Sequence, residues 1–144
     1  MAKPRRKRRI VTSFRPLRTR YFRARKKLRR LQKGFIHIHA TLNNTIVSVS
    51  DREGRVVIWA SAGACGFKSR RKGTPFAAQT TTQYAIEPLV KKGMRKVNVY
   101  VKGVGKGRDG ALRTIHRSSL KVYLTRDETP VPHNGCRPPK RRRV

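Results

Sequence analysis

Three short β-rich runs lie in the first half of the chain, and hydrophobic and polar residues alternate in the first two. The runs are residues 34–40 (GFIHIHA), 45–51 (TIVSVSD), where Val47 and Val49 fall on one side, and 55–60 (RVVIWA). Between them lie Asn43 with Asn44 and then residues 51–54, which are residue types that favour tight turns. Three β-rich runs separated by tight turns predict three antiparallel strands in a meander.

The spacing becomes helical after a glycine-rich loop at residues 61–73. Thr74 and Pro75 are a capping residue and a first-turn proline, and Lys91, Lys92 and Gly93 predict the helix end. Pro88 lies inside this segment and is expected to kink or shorten the helix. The residues that keep the helical spacing are Phe76, Ala77, Thr80, Tyr84 and Ala85.

A fourth strand, a second helix and a last strand follow. Residues 94–102 place Val97, Val99 and Val101 on one strand face. Asp109 is the predicted cap of a helix reaching about Lys121, and residues 122–125 predict a short strand. The inward residues of that helix are Leu112, Ile115 and Leu120. The order βββαβαβ predicts an α/β fold with a mixed sheet and two main helices.

The charge points to a polyanionic partner. The chain has 38 Lys and Arg against 6 Asp and Glu, a net charge of +32, and like charges at this density repel one another. Residues 1–33 hold 16 of the cations and no acid, residues 134–144 hold 5 and no acid, and the remaining 17 share residues 34–133 with all six acids. We therefore predict a basic N-terminal extension (1–33), a body (34–133) and a basic C-terminal tail (134–144). Nucleic acid is the usual partner of such a chain, and a membrane surface is the weaker option.

The N-terminal extension is expected to be disordered alone and to bind RNA. A nuclear localisation signal would explain five basic residues better than sixteen, and a transit peptide would contain more serine.

Cys65 and Cys136 lack the spacing of a zinc site, as do His37, His39, His116 and His133. We expect free thiols in a reducing compartment, no metal and no cofactor.

Residues 105–110 (GKGRDG) match the dinucleotide motif GxGxxG. That motif normally opens the first strand–helix unit of a parallel sheet, whereas here it follows four predicted strands. Asp127 and Glu128 stand at about the distance of a ribose-binding acid, so spacing alone does not exclude a nucleotide. A phosphate of RNA is favoured, because Lys102, Lys106 and Arg108 alternate with the glycines before a helix start. Arg113, Arg117 and Lys121 continue as a basic stripe at helical spacing.

Five segments together resemble the family of small-subunit ribosomal protein eleven. They are residues 43–51 (NNTIVSVSD), 61–63 (SAG), 73–80 (GTPFAAQT), 102–109 (KGVGKGRD) and 127–144 (DETPVPHNGCRPPKRRRV). The resemblance covers residues 34–144 and implies a ribonuclease-H-like fold. It also implies binding of small-subunit rRNA on the platform, near the mRNA exit region and beside ribosomal proteins seven and eighteen. We favour a plastid over a bacterial cytoplasmic ribosome.

The predicted RNA-binding residues lie in the two basic ends, the turns and the second helix. Those that the resemblance implies are Lys68, Arg70, Arg71, Lys72, Lys102, Lys106, Arg108, Asn134, Arg137, Lys140, Arg141, Arg142 and Arg143. The basic runs, the first turn and the helix stripe add Arg5, Arg6, Lys7, Arg8, Arg9, Arg25, Lys26, Lys27, Asn43, Asn44, Arg113 and Arg117. Trp59, Tyr100 and Tyr123 could stack on bases, but packing within or on the body is the favoured reading of each.

Two other functional classes are weighed against an RNA-binding scaffold. A ribonuclease-H-like nuclease needs several converging carboxylates, and the six acids fall mostly in turns. A histone-like DNA compactor would share the charge but does not require the C-terminal motif. We therefore predict a non-enzymatic ribosomal protein without a small-molecule substrate.

The chain also departs from the family pattern at Val104, where proline is usual, at Glu128 and at Pro88.

Overall fold

The computed structural model describes residues 31–137 and 139–140, so predictions made for residues 1–30, 138 and 141–144 lie outside it. The elements are β1 (Lys33–Ala40), β2 (Thr45–Ser50), β3 (Val56–Ser61), a 3₁₀ turn (Ser69–Gly73), α1 (Pro75–Lys91), β4 (Lys96–Lys102), α2 (Gly107–Arg117) and β5 (Lys121–Asp127). Their order confirms the predicted α/β fold class with a mixed sheet and two main helices.

The five strands form one sheet in the order β3-β2-β1-β4-β5. The first three strands pair antiparallel, as the meander pattern predicted, whereas β4 and β5 run parallel to β1. Parallel pairing is possible because α1 and α2 carry the chain back across the sheet before the next strand begins. The three parallel strands therefore start together at one edge of the sheet and end together at the other.

One face of this sheet carries the hydrophobic core. Alternate strand residues are buried there against both helices, which also pack on each other. The buried strand residues are Ile36, Ile38, Val47, Val49, Val97, Val99 and Val101, and the helices contribute Ala78, Ala85, Leu89, Ala111 and Ile115. The strand residues between them lie on the opposite face, which no helix covers in the described part of the chain.

α1 begins as predicted. The Thr74 hydroxyl accepts a hydrogen bond from the Ala77 N–H (3.2 Å) and donates one to the Arg71 carbonyl oxygen (2.8 Å). Pro75 occupies the first turn, where no intrahelical partner exists for an N–H. Phe76 shares the helical spacing of the core residues but remains 66% exposed.

α1 continues past its internal proline. Of the two outcomes predicted for Pro88, shortening does not occur, since the helix extends to Lys91. Ile86 and Leu89 are buried on either side of Pro88, so packing of the last turns outweighs the lost backbone hydrogen bond. Gly93, with φ of 93°, then provides the left-handed residue that ends many helices.

α2 is displaced from its predicted bounds. It starts at Gly107, with Asp109 in the first turn rather than at the cap, and it ends at Arg117. Lys121 was predicted to lie on this helix and instead begins β5. The Ser118 hydroxyl bonds the Ile115 carbonyl oxygen (2.6 Å), and Ser118 is extended. Such side-chain bonds to the backbone compete with helix continuation.

Candidate nucleic-acid interface

Three loop segments meet at the edge of the sheet where β1 and β4 end, here named the loop end. They are the turn at residues 41–44, the glycine loop at residues 103–106 and the 3₁₀ turn. The Gly105 N–H donates to the Ala40 carbonyl oxygen (3.0 Å). A Cβ built on Gly73 would lie 2.6 Å from the Leu42 carbonyl oxygen. The fold thus joins segments that are far apart in sequence into one surface.

Intrachain packing explains the glycines of the dinucleotide-like motif. Gly105, Gly107 and Gly110 face, in that order, the Thr41 backbone, the side chains of Thr45 and Ala78, and the Pro75 backbone, each too close to admit a Cβ without displacement. Atoms of this protein therefore occupy the space that a side chain at each of these three positions would need, so close packing within the chain accounts for the three glycines.

Six basic side chains surround the loop end. They are Lys68, Arg70, Arg71, Lys72, Lys102 and Lys106, of which all but the half-buried Lys72 are exposed. Both helices also begin here, because α1 follows the 3₁₀ turn and α2 follows the glycine loop. Helix N-termini favour anions through their free N–H groups and dipoles. The loop end therefore combines cationic side chains with two helix N-termini.

Arg108 is half-buried and pairs with an acid of the same chain. Its guanidinium bonds the Asp127 carboxylate (2.8 Å), whose other oxygen accepts hydrogen bonds from the Thr129 N–H (2.9 Å) and hydroxyl (2.6 Å). The hydrogen bonds from Thr129, and next those from Arg108, lower the pKa of Asp127 to about 2. The Gly103 N–H donates to the Thr129 hydroxyl oxygen (3.0 Å). This network fixes the start of the C-terminal segment against the glycine loop.

The C-terminal segment leaves the body at this same end. Asn134 has a φ of 51°, a left-handed conformation that asparagine tolerates, and Arg137 and Lys140 are exposed. The remaining predicted tail residues, Arg141, Arg142 and Arg143, lie outside the described part of the chain, as do Arg5 through Arg9 and Arg25 through Lys27.

The basic stripe predicted for the second helix does not lie at the loop end. Arg113 and Arg117 are both exposed on α2, but α2 runs away from the glycine loop at about 1.5 Å per residue. Arg117, ten residues after Gly107, is therefore about 15 Å from the helix start. It lines a groove with Glu87 and Lys91 of α1.

A second basic cluster lies at the opposite edge of the sheet and is missing from the sequence-based predictions. Lys33, Lys96 and Lys121 are the first residues of β1, β4 and β5 and are in register with one another. Arg52 and Tyr123 line a cavity with two of them. Only strand register brings these residues together, and no local motif encodes it.

The described residues offer little for the other functional classes. Within the described ranges, no group of three or more His, Cys, Asp or Glu could hold a metal ion. Cys65 and Cys136 are free, and burial raises the pKa of the Cys65 thiol. No helix in that part of the chain is long and apolar enough to cross a membrane.

Comparison with known proteins gives a consistent picture for this basic α/β protein. The sequence model described as Ribosomal protein S11 matches residues 34–143. "Small ribosomal subunit protein uS11c" of Pelargonium hortorum is 61% identical over 136 residues, which cover 94% of this chain and 96% of the relative. The protein of the same name from Gossypium hirsutum is 59% identical over 121 residues, covering 84% and 88%. That from Helianthus annuus is 58% identical, covering 84% and 89%.

The chain therefore belongs to the ribosomal protein S11 family and is a structural ribosomal protein of plastid type. The family predicted from the sequence motifs is confirmed, and so is the preference for a plastid ribosome. Ribosomal RNA and other ribosomal proteins are the partners that this membership implies.

Proposed function

We propose that the chain is a non-catalytic scaffold that binds folded small-subunit rRNA on the platform through its loop end and C-terminal tail. In this proposal it helps to shape the mRNA exit region, beside ribosomal proteins seven and eighteen. The division into an N-terminal extension (1–33), a body (34–133) and a C-terminal tail (134–144) is part of the proposal. The extension and the tail enter gaps between RNA helices while the body positions the loops.

The convergence at the loop end carries the proposal. The segments that meet there carry Lys68 and Arg71 around the 3₁₀ turn, Lys102 at the end of β4 and Lys106 in the glycine loop. The C-terminal segment also starts there. Glycine packing keeps the loops thin, so cationic side chains from different segments can approach one phosphate together. Asn43 and Asn44 lie in the turn between β1 and β2, which contacts both the 3₁₀ turn and the glycine loop. They add polar groups for RNA contact.

Electrostatics supplies the affinity in this mechanism. Each phosphate contact releases condensed counterions and contributes a salt slope of about −0.7 for single strands and −0.9 for duplexes. Folded rRNA crowds phosphates together, and basic segments inserted between them relieve that repulsion. Specificity then arises from RNA shape and unpaired loops rather than from base edges in a regular groove.

The carboxylates support scaffolding over hydrolysis. Asp51 binds Arg55 (2.9 Å) and Asp127 binds Arg108 (2.8 Å), so each is committed to an intrachain ion pair. Two-metal phosphodiester chemistry needs carboxylates that converge on shared ions. Within the described residues these two acids serve the turn after β2 and the glycine loop instead.

A single lysine substitution with a matched control tests the loop end. Lys106→Gln should weaken binding of the full chain to an rRNA fragment and reduce the magnitude of the salt slope by about 0.7. Lys91→Gln removes the same charge from the helix layer, where Lys91 pairs with Glu87 (2.5 Å), and should leave the slope unchanged. Binding is measured by filter retention across a salt series.

Competition with duplex DNA at equal salt separates the scaffold from a DNA compactor. The full chain should prefer the rRNA fragment, because the proposed contacts fit folded RNA. Equal competition by duplex DNA would contradict the proposal, as would equal salt slopes for the Lys106 and Lys91 variants.

A further inference from the structure

The sheet face that the helices leave uncovered carries several aromatic side chains in adjacent positions. Register places Trp59 beside Ser48, Ser48 beside His37, and His37 beside Tyr100. The His37 and Tyr100 rings are stacked with centroids 5.2 Å apart and planes at 16°. Phe35 packs at 5.9 Å from Tyr100. These rings form an aromatic surface along the middle of the sheet, and Trp59 is 45% exposed.

A row of lysines borders this aromatic surface where the parallel strands begin. Lys33, Lys96 and Lys121 occupy matching positions on β1, β4 and β5. Because neighbouring strands lie about 4.8 Å apart, the three lysine Cα atoms span about 10 Å. The Lys96 and Lys121 Nζ atoms lie 5.5 and 5.7 Å from the centroid of the Tyr123 ring. This lysine row therefore concentrates positive charge around an aromatic ring.

A cavity opens beside the lysine row. It has a volume of about 430 Å³ and is lined by Lys33, Gly34, Phe35, Arg52, Lys96, Val97, Asn98 and Tyr123. The pKa of Tyr123 lies below its usual value because Lys96 hydrogen-bonds it and because the charges of Lys96, Lys121 and Lys33 are near. Tyr123 is 56% exposed, so its ring remains accessible to a ligand.

The strands place no carboxylate on this face. The sole acidic residue within the five strands is Asp127, which bonds Arg108 of α2 on the helix-covered side. An anionic ligand therefore meets no repulsion from the strand side chains.

We propose that this uncovered sheet face is a second RNA-binding surface, on which unpaired nucleotides stack while their phosphates lie against the lysine row. Aromatic side chains on a sheet bind unpaired bases by stacking, and flanking cations bind the backbone. One base enters the cavity against Tyr123 and Phe35. The RNA strand then crosses the sheet toward His37 and Tyr100. The inference rests on the proposed function and adds a site at the edge opposite the loop end.

Charge favours RNA over a protein partner on this face. An apolar protein surface would have to remove water from three lysines without compensating them, which is costly. An acidic peptide would compensate the lysines but would leave the rings without flat partners. Unpaired RNA supplies phosphates and flat bases along the same strand, so it matches both features.

Tyrosine variants test the stacking contact. Tyr123→Leu in the full chain should weaken binding of a short oligouridylate by about five- to 150-fold, whereas Tyr123→Phe should bind like the parent. Trp59 is the only tryptophan in the chain, so its fluorescence reports occupation of the same face. Oligouridylate should quench this emission in the parent, and a base-paired RNA of equal length should quench it less.

Charge variants and two controls decide between the possible outcomes. Lys121→Gln should reduce the magnitude of the salt slope for oligouridylate binding by about 0.7. Lys91→Gln in α1 should leave that slope unchanged. Unchanged binding by Tyr123→Leu with unquenched Trp59 would overturn the second surface, while retained binding of the rRNA fragment would leave the loop-end proposal intact. Polyglutamate that displaces oligouridylate at equal charge concentration would also overturn it in favour of an acidic protein partner.

Discussion

Replacing Gly105 with alanine tests whether close packing shapes the glycine loop. The φ of Gly105 is not positive, so alanine can adopt its backbone conformation, and the effect comes from contact alone. The new methyl group would overlap the Thr41 carbonyl oxygen and lie 2.6 Å from the Thr41 carbonyl carbon and 2.9 Å from that of Ala40. Ordinary carbon contacts are about 3.5–4.0 Å, so the backbone after β1 must move by roughly 1 Å.

The size of the effect follows from what must move. Overpacking usually costs about 1–3 kcal/mol, and the upper half of that range applies because the neighbours are backbone atoms. The Gly105 N–H also donates to Ala40 (3.0 Å), and that hydrogen bond is strained by the same movement. A decrease of about 2–3 kcal/mol in the free energy of unfolding lowers the melting temperature by roughly 8–12 °C, at about 4 °C per kcal/mol for a body of this size.

Thermal unfolding of the full chain, followed by circular dichroism, measures this change. Gly63→Ala is the matched control, because a Cβ at Gly63 would meet its nearest atoms, in Lys72 and Ser61, at ordinary distances of 3.8 and 3.9 Å. That variant should melt at or slightly above the parent temperature. Equal melting temperatures for Gly105→Ala and the parent, or equal losses in both variants, would refute the packing argument.

Two further predictions concern the segments that support the loop end. Thr74→Ala should lower the free energy of unfolding by about 1 kcal/mol, because it removes the N-cap. Thr74→Ser keeps a capping hydroxyl and should restore the stability of the parent. Equal free energies of unfolding in urea for the alanine and serine variants would contradict the capping role. Asp127→Asn should change the acid sensitivity of the body. The folded-state pKa of Asp127 is about 2, below the usual 3.8, so its stabilisation is complete above about pH 4 and is lost as pH falls through about 2. The melting temperatures of parent and Asp127→Asn should therefore converge between pH 4 and pH 2, and a constant difference would show that the carboxylate charge is irrelevant.

Local patterns predicted most elements but not all of their bounds. The alternation at Val47 and Val49 correctly assigned buried positions, because one covered face imposes a period of two on each strand. Thr74 marked a helix start because capping is a local hydrogen bond. The end of α2 was missed, because Ser118 leaves the helix through side-chain bonds that helical spacing does not reveal.

The candidate site was predicted in part. The residues of the glycine loop were identified from composition, since glycines and lysines alternate there. Arg108 was predicted to contact RNA, and its bond to Asp127 became apparent only once β5 was placed beside β4. Those RNA contacts stay predictions.

The sequence by itself determined the basic character, the order of strands and helices, the family and the glycine-rich loops, because each of these is written in neighbouring residues. Tertiary structure alone decided which distant residues share a surface. Parallel pairing aligned Lys33, Lys96 and Lys121, and it brought the loops after β1 and β4 to one edge. The physical reason is that strand register is set by packing of the whole sheet against its helices, and no short segment contains that information.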